Sequence, residues 1–169
     1  MTFKTPILLN VFNRPNNTLK VFEVLRKIKP LKLYISSDGP RSYKKLDEKL
    51  VEDVRDIFKK VDWQCQIKTL FNEKNLGCRK ANIKALKWFF SNEEQGIILE
   101  DDSFSNLDFF NFCENLLKKY ADEESVAAIS GCNFQKNVLR GNGSYYFSKF
   151  SHAWGWASWR RVFNNFDWD

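Results

Sequence analysis

The chain has 169 residues, of which 43% are hydrophobic and 28% charged, and carries a net charge of +6. That length supplies one domain with a sizeable core and hardly two, and that balance excludes a disordered or fibrous chain. The positive sign fits nucleic acid, an anionic membrane surface or phosphorylated small molecules.

In chain order, MTFKTPILLNVFNRP holds an apolar run too short for a signal peptide or a membrane span. Within it, Thr5–Phe12 reads as a strand buried on both faces. Asn16-Asn17-Thr18 offers a helix N-cap, and Leu19, Phe22, Leu25 and Ile28 then recur at helical spacing until Pro30. Leu31–Ser37 predicts a second strand, closed by the turn signal Asp38-Gly39-Pro40. Along Ser42–Lys60 acids alternate with lysines, the pattern of a solvated helix face, while Leu46, Leu50, Val54, Ile57 and Val61 line the other side. That scatter of charge argues against a nucleic-acid partner. Trp63, Cys65 and Ile67 alternate as a third strand leading into Leu70-Phe71. The loop Asn72–Gly77 opens a helix with Ala81, Ala85 and Phe89 inward.

Ile97–Leu99 predicts a fourth strand, Phe110, Cys113, Leu117 and Tyr120 a further helix, and Ser125–Ser130 a further strand. After Gly131 the texture changes. Ser144–Phe150 is short and aromatic, as in a hairpin arm, and Ala153–Phe166 is rich in Trp and Arg. Strands alternating with helices predict an α/β fold: a Rossmann-like, mostly parallel sheet with helices on both faces, formed by residues 1–169 as one domain. Cys65, Cys78, Cys113 and Cys132 make no CxxC pair, and His152 is the only histidine. A zinc site is therefore not expected, and a reduced, cytoplasmic protein is.

The carboxyl ends of the predicted strands carry the chemistry. The first delivers Asn13-Arg14-Pro15, the second Asp38-Gly39, and the fourth Glu100-Asp101-Asp102; the helix before the fourth begins near Arg79-Lys80. In a parallel sheet these points share one edge, where open α/β sheets bind ligands. Cations and carboxylates together in one crevice suit a nucleotide diphosphate. A divalent metal neutralises the departing diphosphate through oxygen ligands, and one or two carboxylates are enough to hold it beside the phosphates. Other carboxylates can accept from ribose hydroxyls, Asp38 can accept from the imide N–H of uracil, and arginine matches phosphate oxygens.

Taken together, PILLNVFNRP, LYISSDGPR, NLGCRKANIKAL, ILEDDSFSNLDFFNF and WGWASWRRVF make the sequence resemble a nucleotide-diphospho-sugar glycosyltransferase of the GT-A fold. The likeness is to the bacterial family-2-like group related to N-acetylglucosaminyltransferase I and spans essentially the whole chain. The resemblance implies inverting, metal-dependent transfer of a sugar from a nucleotide-sugar donor, expected to be a UDP-sugar, to a hydroxyl of a carbohydrate or lipid-linked saccharide acceptor of the cell envelope. Peripheral association with the inner face of the membrane goes with that acceptor. By the resemblance, Arg14, Asp38 and Arg79 approach the nucleotide, Glu100 and Asp101 the ribose and sugar, and Asp102 holds Mn²⁺ or Mg²⁺. Gly155-Trp156 matches a segment bordering the acceptor, or is a tight turn followed by a core tryptophan.

The family's general base follows the WGW segment on a later loop. This sequence ends at FNNFDWD, where Asp167 and Asp169 are the sole candidates at short spacing, so the chain is expected to stop inside the catalytic domain. His152 has the chemistry of a base, but a lone histidine beside aromatics is the ordinary mark of a structural residue. Two other classes stay open at this point: a nucleotide-sugar-binding module without catalysis, and a basic nucleic-acid or membrane-surface protein whose acidic triplet is incidental.

Overall fold

The computed structural model describes residues 3–135, 138, 141–164 and 166–168. Its strands are β1 (Ile7–Val11), β2 (Lys32–Ser37), β3 (Gln66–Phe71), β4 (Gln95–Glu100), β5 (Ile129–Ser130) and β6 (Trp156–Trp159). The helices are α1 (Pro15–Ile28), α2 (Asp47–Ile57), α3 (Cys78–Asn92), α4 (Leu107–Lys119) and the short α5 (Arg160–Phe163). The six strands form one sheet of order β3-β2-β1-β4-β6-β5. β1 lies parallel between β2 and β4, with Leu8 opposite Tyr34 on one side and Ile98 on the other.

The absence of alternation in Thr5–Phe12 has a simple cause, since both faces of the sheet are covered. Ile7, Leu9, Leu33, Ile35, Ile97 and Leu99 face one core with Phe22 and Leu25 of α1, Val54 of α2, and Phe110, Cys113 and Leu117 of α4. Leu8, Tyr34 and Ile98 face the other core, against Ala85, Phe89 and Phe90 of α3. The expected Rossmann-like, mostly parallel sheet with helices on both faces is thus present. Asn106 starts α4 by accepting from the Phe109 amide at 3.0 Å.

Several boundaries differ from the sequence reading. Leu46 is 75% exposed because it precedes α2, and Val51 takes the inward position instead. β3 begins only at Gln66, which pairs with Lys32; Trp63 and Cys65 precede it, and the Trp63 indole donates to Pro30 O at 3.0 Å. Ser144–Phe150 forms no strand.

The largest correction concerns the far edge of the sheet. Ser125–Ser130 contributes only the two-residue β5, and it does not extend the parallel sheet from β4. Instead β6, from the aromatic segment, lies between them and is antiparallel to both. Gly155, at a φ of +67°, makes the turn into β6. Trp159 is buried and donates its indole N–H to Leu117 O at 3.1 Å, which ties the new strand to α4. No described helix is long and apolar enough to cross a membrane.

Candidate functional site

The chain runs from β1 outward to β2 and β3, then returns to place β4 on β1's other side. At such a reversal the carboxyl ends of the strands open a crevice. Here a cleft of about 420 Å³ lies between Phe12 and Arg14 after β1, Asp38 and Arg41 after β2, Gly77 and Cys78 at the start of α3, and Glu100 and Asp101 at the end of β4. Gly77, Cys78 and Ala81 place the N-terminal turn of α3 at the cleft, and no side chain caps it.

The three consecutive carboxylates do not act as a unit. Asp101 is 2% exposed, and Arg14 holds it with both sides of its fork: Nε donates to Oδ2 at 3.1 Å, and Nη2 donates to Oδ1. The remaining arginine nitrogen, Nη1, donates to Asp102 Oδ2 at 3.0 Å, while the Trp154 indole donates to Asp102 Oδ1 at 3.3 Å. Burial raises the Asp101 pKa even against these bonds. Glu100 follows Leu99 in the strand alternation and points to the α3 side, beside its register partner Asn10. Its carboxyl makes no hydrogen bond or ion pair with a described residue. Burial, and then repulsion from Asp102 and Asp101, raises its pKa. Next to it Asn10 Nδ2 donates to Asn82 Oδ1 at 3.0 Å, leaving the buried Asn10 Oδ1 without a partner among the described residues.

A divalent ion needs several oxygen ligands turned to one point. Among the described residues no three acidic, histidine or cysteine side chains stand close enough to hold a metal. Glu100 and Asp101 point to opposite faces, and both Asp102 oxygens already have donors. As arranged, these side chains do not fit the expected Mn²⁺ or Mg²⁺ site, because Asp101 and Asp102, the carboxylates that would hold the ion beside the phosphates, are taken up by Arg14 and Trp154.

Asp38 is built differently. Five groups donate to its carboxylate: the amides of Gly39, Leu76 and Gly77 and the side-chain amides of Asn72 and Asn75, all at 2.9–3.1 Å. Behind it Arg55 donates to Ser37 Oγ, to Asp38 O and to Asn72 O. The expected acceptor for a uracil imide thus meets the cleft with its oxygens already engaged.

Two residues of the site escaped the sequence reading. Asp47, in the segment read as a solvated face, is buried, and accepts from Arg41 Nη2 and Asn13 Nδ2 at 2.9 Å each. The Arg41 bonds hold its carboxyl well below the ordinary carboxylate range. Arg41 in turn lies over the Phe12 ring and lines the cleft. The arginine directly after Asp38-Gly39-Pro40 was the available signal for it; nothing local marks Asp47 as buried.

Arg79 does not line the cleft. Helical geometry turns Cys78, Ala81 and Asn82 inward and carries Arg79, Ile83 and Leu86 to a neighbouring groove of about 570 Å³. Trp156, Phe163, Asp167 and Trp168 line that groove too, with Asn82 shared between both spaces. Asp169 lies outside the described residues. His152 is exposed and packs edge-on against Phe134.

The sequence matches no protein-family model and no curated protein. Among solved structures it is similar to 4-diphosphocytidyl-2C-methyl-D-erythritol synthase from Anaerococcus prevotii. That match has a TM-score of 0.56 and 12% identity, over 95% of this chain and 73% of that one. A more remote likeness, TM-score 0.44 and 12% identity over 76% of this chain and 36% of that one, is to a mannosyltransferase from Pyrobaculum calidifontis in complex with GDP-Man and Mn²⁺. At such identities the likeness is one of fold, and it defines a Rossmann-like α/β protein.

Proposed function

We propose that the strand-end cleft binds the nucleotide diphosphate of a sugar donor, and that the protein serves transfer of that sugar to a hydroxyl acceptor. One observation carries the reading: at the switch point of the sheet, the cleft joins two guanidinium groups, Arg14 and Arg41, to the uncapped start of α3. Those are the groups that meet phosphate oxygens. Arg14 is half exposed, and three of its five N–H groups donate to Asp101 and Asp102, which leaves two for a phosphate oxygen. Glu100 and Asn10 Oδ1 supply acceptors that a ribose or sugar hydroxyl would satisfy, and Asp102 is tied to the cleft through Arg14.

In the transfer the acceptor oxygen bonds to the anomeric carbon, the bond from that carbon to the phosphate oxygen breaks, and the acceptor proton passes to a base. Within these 169 residues the only candidates for that base are Asp167, which lines the groove beside the cleft, and Asp169, both at the short spacing after WGW that places the family's base further along the chain. A UDP-sugar donor, a saccharide acceptor at the membrane's inner face, and a single domain for residues 1–169 belong to the same proposal.

Calorimetric titration with uridine, UMP and UDP tests it. Affinity should rise along that series, and Arg41→Gln should weaken UDP by about tenfold while leaving uridine unchanged, since a charge-assisted hydrogen bond contributes about 1.5–3 kcal/mol. Equal affinity for uridine and UDP, or no binding of either, would sink the reading.

A further inference from the structure

We propose that Asp38 is a positioning residue: its carboxylate fastens the Asn72–Gly77 segment and the start of α3 to the end of β2, and does not itself read the base. The second half of that statement rests on the nucleotide reading of the cleft; the first does not.

A carboxylate offers about four lone-pair directions. Five donors already surround Asp38, and the Leu76 amide lies between its two oxygens at 3.0 and 3.1 Å. The residue is only 7% exposed where it meets the cleft, so an incoming imide N–H would have to displace one of these bonds.

Everything around the carboxylate serves the same junction. Asn72 N donates to Ser37 O at 2.9 Å, and Arg55 spans Ser37, Asp38 and Asn72. Gly39 permits the contact, since a Cβ there would lie 2.5 Å from the Lys74 carbonyl carbon. The segment is therefore pressed directly onto the turn after β2. Leu76 and Gly77, whose amides are clamped, immediately precede Cys78, where α3 begins. Asp38 therefore sets where the helix start and Asn75 stand against the cleft. Its charge lies behind the helix's positive end, an arrangement that the dipole favours.

The two roles separate cleanly by experiment. Asp38→Asn keeps the shape but turns one acceptor into a donor facing amide donors. Amide exchange by NMR should then quicken at Leu76 and Gly77 by roughly 100-fold or more, while Leu25 and Phe89 in the cores stay protected. UDP and CDP affinities should fall together, each by about tenfold, with their ratio unchanged. Asn75→Ala removes a single neutral donor without endangering the fold, and should produce a smaller change of the same kind. A base reader behaves otherwise, losing uridine preference with the loop intact. Unchanged exchange at Leu76 and Gly77, or a UDP-to-CDP ratio shifted by more than about threefold, would overturn the proposal. Should wild-type protein bind neither nucleotide, the reading of the cleft falls, and the exchange measurement still decides the clamp.

Discussion

The acidic ends of β2 and β4 flank the same central strand and line the same cleft, yet they are neutralised in opposite ways. Asp38 is met by backbone and side-chain amides at a 7% exposed position. Asp101 and Asp102 are met by one guanidinium that is itself 49% exposed. Amides fixed in the backbone cannot leave without unfolding a loop, so the β2 end is a wall. A half-exposed arginine can exchange partners and is screened by salt, so the β4 end can respond to a ligand. Glu100 adds a third condition, a carboxylate with neither kind of partner, whose pKa is raised by burial and then by the charges of Asp102 and Asp101. Carboxylates of one chemical type thus provide a scaffold, a counter-ion pocket and an unsatisfied acceptor.

The harshest test of this contrast is removal of the cation. Arg14→Ala leaves the buried Asp101 without its counter-ion, and urea unfolding at neutral pH should show a loss of about 3 kcal/mol. The loss should shrink in acid, where Asp101 takes up a proton and needs no counter-ion. A loss below about 0.5 kcal/mol would reduce the pair to an ordinary surface contact and erase the distinction between the two ends.

A smaller effect should appear in metal binding. Because Arg14 occupies the acidic pocket, free wild-type protein should take up Mn²⁺ only weakly, as followed by electron paramagnetic resonance. Arg14→Gln should strengthen uptake by about tenfold, and adding Asp102→Asn should cancel the gain. Equal uptake by wild type and Arg14→Gln would mean that the guanidinium is no obstacle to an ion.

The smallest effect concerns Glu100, and its sign follows from linkage. Its pKa is higher folded than unfolded, so the folded state binds the extra proton and stability falls as pH rises through the folded pKa. Glu100→Gln should therefore be more stable than wild type at neutral pH by about 1 kcal/mol, with the gap closing as pH falls toward about 4. Urea midpoints across that range would measure it. The same change of acid to amide at Asp38 should destabilise, and a gain there would break the comparison.

Much of the fold was legible in short stretches of sequence. Thr5–Phe12 and Leu31–Ser37 lack alternation because both faces are covered, and Asp38-Gly39-Pro40 marks the turn where β2 ends. These are signals of period and local turn chemistry, set within a few residues, so they survive without knowledge of the rest of the chain. From them alone the strand ends bearing Arg14, Asp38 and Glu100-Asp101-Asp102 fall on one edge of a parallel sheet.

Which groups meet at that edge was decided only by the tertiary structure. Arg14 and Asp101 are 87 positions apart, and Asp38 and Gly77 are 39 apart. Nothing near Asp38 in sequence announces that its oxygens are spent on amides beyond β3. Asp47 reads as solvated from its neighbours and is buried because Arg41 and Asn13 close over it. The insertion of β6 between β4 and β5 follows the same rule: period and turn chemistry act along the chain, whereas strand order and the pairing of buried polar groups depend on which distant segments come together in space.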